Sequence, residues 1–131
     1  MYLDNLLYLS NAQAVTVDAA SESVIDQGAK ADAYAGAWLT IQINVAWTTG
    51  TSAIFKLQTD SDEAFGTAVD VWTSASILAA TLVAGYVVVK MRLPAGMKRY
   101  IRVYYDITDA FDATSKVDAF INLDVEKLLA V

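Results

Sequence analysis

The chain has 131 residues, 56% of them hydrophobic and 18% charged, with 9 Lys+Arg against 15 Asp+Glu for a net charge of −6, and neither cysteine nor histidine. Those absences exclude disulfide frameworks, thiol nucleophiles, thiolate metal sites, imidazole bases, Ser-His-Asp triads and His-ligated zinc, so a metal would have to be held by oxygen alone. The acidic balance argues against a nucleic-acid binder, which needs a basic face able to neutralise several phosphates.

Taken in chain order, the first nine residues place Tyr2, Leu3, Leu6 and Leu7 at helix-like spacing, in a stretch short enough to be an extended arm instead. No basic n-region or uninterrupted apolar run marks a secretory signal there. Short strand candidates follow at Ala14–Val17 and Ser23–Ile25. From Trp38 to Trp47 the odd positions Leu39, Ile41, Ile43, Val45 and Trp47 are apolar and Thr40, Gln42 and Asn44 polar, the period of a strand with one buried face. Ala53–Thr59 is another strand candidate, and Ser61–Phe65 a single turn capped by Asp60 or Ser61.

The run between Asp70 and Lys90 carries no charge and is long enough on paper to cross a bilayer. Thr73, Ser74, Ser76, Thr81 and Ala84-Gly85 divide it, so strands at Ala68–Trp72 and Ile77–Leu82 explain it better and no membrane contact is expected. Tyr86–Leu93 is a strand ending at the turn Pro94-Ala95-Gly96. Arg99–Ile107 alternates apolar Ile101, Val103, Tyr105 and Ile107 with polar positions, and Lys116–Glu126 does the same with Val117, Ala119, Ile121, Leu123 and Val125. About nine short strands with small turns predict one all-β domain over 1–131, an antiparallel β-sandwich of jelly-roll type, with 1–10 as an N-terminal arm or short helix.

Acidic residues are the only candidates for catalysis, at Asp60-Ser61-Asp62-Glu63 and at Asp106, Asp109 and Asp112. Paired carboxylates at suitable separation would suit glycoside hydrolysis, and clustered oxygens would suit calcium. Neither cluster has the calcium-loop pattern, and Asp between strands ordinarily serves turns and solvation, so no catalytic residue, metal or cofactor is assigned. Five of the nine positive charges, Lys90, Arg92, Lys98, Arg99 and Arg102, fall within thirteen residues. If the two strands around Pro94-Ala95-Gly96 are neighbours, Lys90, Arg92 and Arg102 form one basic patch for an acidic partner surface; the plainer reading is a solvated face paired with local Asp. Tyr100 and Tyr104, on the polar side of their strand, are the aromatic residues to expect at a contact surface.

Seven stretches in this order resemble the capsid cement, or decoration, proteins of tailed bacteriophages: Tyr2–Leu7, Ser10–Thr16, Val24–Gly28, Leu57–Phe65, Leu82–Tyr86, Arg92–Gly96 and Arg99–Arg102. The resemblance covers nearly the whole chain and rests on the series, since no one piece is chemically diagnostic. It implies a jelly-roll sandwich without enzymatic activity, acting as a homodimer or other homo-oligomer on the outer surface of the virion shell, where it bridges copies of the major capsid protein after assembly in the host cytoplasm. No contact residues come with it. The expected interface, drawn from the residues themselves, is Tyr2, Leu3, Leu6, Leu7, Lys90, Arg92, Tyr100, Arg102 and Tyr104. The competing readings are a carbohydrate-binding β-sandwich module using Trp38, Trp47, Trp72 and the tyrosines, and an Asp-based hydrolase with little room for a cleft.

Overall fold

The structure, a computed structural model, describes residues 8–28, 37–94 and 96–122. Among these residues are ten strands: β1 (Tyr8–Ala14), β2 (Ala19–Ala20), β3 (Ile25–Asp26), β4 (Trp38–Val45), β5 (Ser52–Asp60), β6 (Val69–Thr73), β7 (Ile77–Leu78), β8 (Val87–Arg92), β9 (Tyr100–Thr108) and β10 (Lys116–Asn122). They form two antiparallel sheets. One is four-stranded in the order β1-β10-β4-β8; the other is six-stranded in the order β2-β9-β5-β6, with β3 also on β9 and β7 also on β5.

Because β2 and β3 run in succession along β9, and β6 and β7 along β5, each pair acts as one interrupted edge strand. Eight strands numbered along the chain then lie in the orders 1-8-3-6 and 2-7-4-5, which is the jelly roll. Successive strands mostly alternate between sheets, so residues close in sequence are carried to opposite faces.

The core lies between the sheets. The long strands alternate as their sequences require: Leu39, Ile41 and Ile43 from β4, Phe55 and Leu57 from β5, Ile101, Val103 and Tyr105 from β9, and Val117, Ala119 and Ile121 from β10 are all buried. Burying a large aliphatic side chain contributes about 1.5–3 kcal/mol, so these rows set the pairing register. Aromatic rings fill one region: Trp47 packs on Phe55 at 5.5 Å, on Tyr105 at 6.3 Å and on Phe111 at 5.1 Å.

Several elements differ from their sequence expectation, each for a local reason. The first strand is Tyr8–Ala14 rather than Ala14–Val17. Its pattern is not alternating because Ala12 has φ of 50° and its pairing with β10 shifts twice. The polar Ser10 is fully buried there, its hydroxyl 2.7 Å from the Tyr105 hydroxyl and 2.6 Å from Gln13 Oε1, a hydrogen-bonded arrangement that lets a serine occupy the core. Burial holds the Tyr105 hydroxyl far above its ordinary pKa, against the opposing effect of the Ser10 hydrogen bond. Tyr2, Leu3, Leu6 and Leu7 lie outside the described residues, as does the C-terminal part of the expected strand Lys116–Glu126.

Ile77–Leu82 contributes only a two-residue strand before a 3-10 turn at Ala79–Thr81. The uncharged run is therefore strand, turn and strand, and no helix among the described residues is long and apolar enough to cross a membrane. Val45 leaves the core at 39% exposure, since Lys116 pairs with Val45 and Val117 with Ile43, making Asn44 the extra residue of a bulge. Beyond that bulge Trp47 re-enters the core and donates from Nε1 to the Lys116 carbonyl at 3.0 Å.

Candidate interaction surface

Residues opposite one another on antiparallel strands project to the same face, so register defines the surfaces. On the outer face of the six-stranded sheet, Tyr100 lies opposite Asp60, Arg102 opposite Gln58, Tyr104 opposite Lys56 and Asp106 opposite Ile54. Gln58 pairs onward with Asp70, and Lys56 with Thr73. Arg102 Nε donates to Gln58 Oε1 at 2.8 Å, and Gln58 Nε2 donates to Asp70 Oδ1 at 2.8 Å. The Arg102 guanidinium lies 4.3 Å from the Phe65 ring centre and 5.6 Å from that of Tyr104. Lys56 Nζ sits between Asp70 at 3.7 Å and Asp106 at 3.6 Å. The result is a half-buried grid in which amide, guanidinium, ammonium, carboxylate and aromatic groups are already positioned against one another.

The grid continues to the sheet edge. Arg99 grips Asp26 with two parallel hydrogen bonds, from Nε at 2.8 Å and from a terminal nitrogen at 2.9 Å, and its guanidinium lies 5.0 Å from the Tyr100 ring centre. The Arg99 hydrogen bonds, with one from the Gly28 backbone N–H, hold the Asp26 carboxyl at about 2, and the same pair raises the Arg99 pKa. A depressed folded-state pKa stabilises the fold above the ordinary carboxylate pKa of roughly 4, and that contribution is lost as pH falls toward 2. In an NMR titration the Asp26 carboxyl is expected to show its midpoint near 2. Arg99→Gln should move it upward and flatten the loss of melting temperature between pH 4 and 2; an unmoved midpoint would remove Arg99 as the cause.

Tyr100, Arg102 and Tyr104 thus share one surface, while Lys90 and Arg92 do not join them. β8 belongs to the four-stranded sheet and β9 to the six-stranded one, so the expected single basic patch across Pro94-Ala95-Gly96 is not formed. Lys90 is exposed and ends a cross-strand row through Thr40 and Phe120 to Tyr8, where the Tyr8 and Phe120 rings are 5.5 Å apart. Arg92 lies opposite Trp38 with its guanidinium 5.1 Å from the ring centre. Lys56, Gln58, Phe65 and Asp70 were not legible in the sequence as members of the grid; the β5–β9 and β5–β6 registers place Lys56, Gln58 and Asp70 there, and the β5–β6 loop brings the Phe65 ring against Arg102.

The acidic clusters have separate tasks. The Asp60 carboxylate, buried beneath its own loop, accepts from the Thr67 backbone N–H at 2.8 Å, the Asp62 N–H at 3.2 Å and the Thr67 hydroxyl at 3.3 Å. Burial pushes its pKa up, but the N–H donors of Thr67, Asp62 and Ser61 outweigh that and hold it below the ordinary value. The cluster therefore fastens the β5–β6 loop. Asp106 faces Lys56, Asp109 accepts from the Thr51 hydroxyl, and Asp112 accepts from the Thr114 backbone at 3.1 Å. Among the described residues no three His, Cys, Asp or Glu side chains are grouped to hold a metal. An open cleft of about 300 Å³ lies between Val17, Asp18, Ile107, Asp109 and Ala110. Of the three tryptophans, Trp47 is buried in the core, and Trp38 is half-buried with the Arg92 guanidinium 5.1 Å from its ring centre.

The family model Bbp16 matches residues 9–121, from β1 to β10. The chain belongs to the Bbp16 family. The matched span contains the jelly roll except for its first and last strand residues, Tyr8 and Asn122, together with the Arg102 grid, and excludes the flanking segment that carries Tyr2, Leu3, Leu6 and Leu7. No curated protein matches the chain.

Proposed function

We propose that this Bbp16-family chain is a structural cement protein of a tailed phage, bound to the outer surface of the icosahedral shell and bridging neighbouring copies of the major capsid protein. The observation that carries this reading is the ordered series of cement-protein-like segments, which falls on defined parts of the jelly roll: Ser10–Thr16 along β1, Leu57–Phe65 along β5 and its loop, and Arg99–Arg102 at the start of β9. The last two meet in the surface grid, where Arg102 touches Gln58 and Phe65. Pre-positioned Arg and Tyr side chains suit a contact surface because little side-chain freedom remains to be lost on docking.

Sedimentation of purified protein with expanded, undecorated shells tests the proposal, and co-sedimentation at micromolar concentration is the expected result. Absence of any co-sedimentation would overturn it. Arg102→Ala should weaken shell binding about tenfold, the effect of losing an interfacial arginine worth roughly 1.4 kcal/mol. Its melting temperature should change little by comparison; equal losses of affinity and stability would make Arg102 a support of the fold rather than a contact.

A further inference from the structure

The cations of the surface grid, Lys56, Arg99 and Arg102, are not equally neutralised. Lys56 sits between Asp70 and Asp106, and Arg99 holds Asp26 with two hydrogen bonds. Arg102 has no carboxylate within reach among the described residues. Its polar partner is the neutral amide of Gln58, and Asp70 lies one step further, on the other end of that amide. A guanidinium carries five N–H donors in a planar fork. The Nε–H of Arg102 is taken by Gln58, which leaves the donors on the terminal nitrogens, a pair matched to the two oxygens of a carboxylate.

The guanidinium is also held in place. The Phe65 ring centre lies 4.3 Å from its central carbon and the Tyr104 ring centre 5.6 Å. Phe65 takes φ of 54°, a region that bulky residues rarely enter. The loop imposes it: the Phe65 N–H donates to the Asp62 carbonyl at 2.9 Å, and Asp60 fastens Thr67 just beyond. Backbone strain at such a residue is kept only where the surroundings over-determine it, and here it sets an aromatic plane against a cation. An arginine positioned in this way loses little freedom when an anion arrives. The neighbours decide which anion fits. Asp26, Asp70 and Asp106 stand on the same face of a chain of net charge −6, so a nucleic-acid strand would set its phosphates against them. A single carboxylate meets only the cation that lacks a counter-charge.

We propose that Arg102 receives one Asp or Glu carboxylate of the capsid shell, end-on through its terminal nitrogens. The proposal rests on the cement reading and adds to it the chemistry of the partner group. The test titrates the purified chain against expanded, undecorated shells, either untreated or with their carboxylates amidated by carbodiimide and methylamine. On untreated shells Arg102→Gln should bind about tenfold more weakly than the wild type. Arg102→Glu should bind roughly tenfold more weakly again, because it sets like charges face to face. Arg102→Lys should fall short of wild-type affinity, since an ammonium is a point charge without the fork. Amidation should weaken the wild type at least tenfold and bring it level with Arg102→Gln; the first of these readouts holds even if a variant folds poorly. A wild-type advantage that survives amidation, equal binding by Arg102→Gln and Arg102→Glu, or full affinity in Arg102→Lys would overturn the carboxylate assignment and leave the cement reading standing. Retention of the chain on single-stranded DNA that depends on Arg102 would put phosphate in place of carboxylate and overturn it too. No co-sedimentation of the wild type with untreated shells would overturn both.

Discussion

Trp47→Ala is expected to destabilise the protein by about 3–5 kcal/mol, or roughly 10–20 °C in melting temperature, the usual cost of emptying a large aromatic site in a rigid core. Trp47 is 1% exposed and is the ring on which Phe55, Tyr105 and Phe111 converge. Its indole N–H is satisfied by the Lys116 carbonyl, so truncation also leaves that carbonyl without its partner. The site cannot collapse easily, because Phe55 and Tyr105 are held in the β5–β9 pairing and Tyr105 is tied to Ser10. Thermal melts by near-ultraviolet dichroism and chemical denaturation check the value. A loss below about 1 kcal/mol, the range of an ordinary surface change, would mean that this aromatic cluster does not organise the core.

Gly50→Ala is the second large effect, and it acts on the same cluster from outside. A Cβ at Gly50 would lie 2.7 Å from the backbone oxygen of Asp109 and 2.8 Å from the ring of Phe111. Neither neighbour yields readily. Asp109 has φ of 60°, its carboxylate accepts from the Thr51 hydroxyl, and the Phe111 backbone N–H is bonded to the Thr16 carbonyl at 2.9 Å. Overpacking of this kind costs about 1–3 kcal/mol. Both substitutions disturb Phe111, so the double variant should lose less than the sum of the two single losses, by at least about 0.5 kcal/mol. Strict additivity in a double-mutant cycle would separate the Gly50 contact from the tryptophan cluster.

What the sequence disclosed follows from how each strand is buried. β4, β9 and β10 have one face on the core and a more accessible outer face, and that asymmetry writes itself as alternation at Leu39, Ile41 and Ile43 and at Ile101, Val103 and Tyr105. β1 escaped because its buried residue beside Leu9 is a serine, made tolerable by a tyrosine hydroxyl 95 positions away. β2 and β3 are two residues each, too short to have a period. For the surface, Tyr100, Arg102 and Tyr104 were legible as the polar side of one strand. Their partners Gln58, Lys56 and Phe65 belong to β5 and its loop, and only register links the two. The supposed union of Lys90 and Arg92 with Arg102 failed because proximity along the chain is a poor guide in a jelly roll, where the step from β8 to β9 changes sheets.

The position of β10 has a consequence for how the molecule comes into being. The last described strand is an inner strand of its sheet, inserted between β1 and β4, with Tyr8 paired to Phe120 and Leu39 to Ile121. A chain emerging from the ribosome therefore has β1 without its sheet partner, and β4 with one flank open, until residues beyond 116 are available. Closing such distant pairs is slow relative to local structure, and unpaired flanks are sites where nascent chains associate wrongly. Completion of the sheet is thus a single late event, and a chain cut short of β10 lacks more than its final strand: it loses the seam that joins its beginning to its middle.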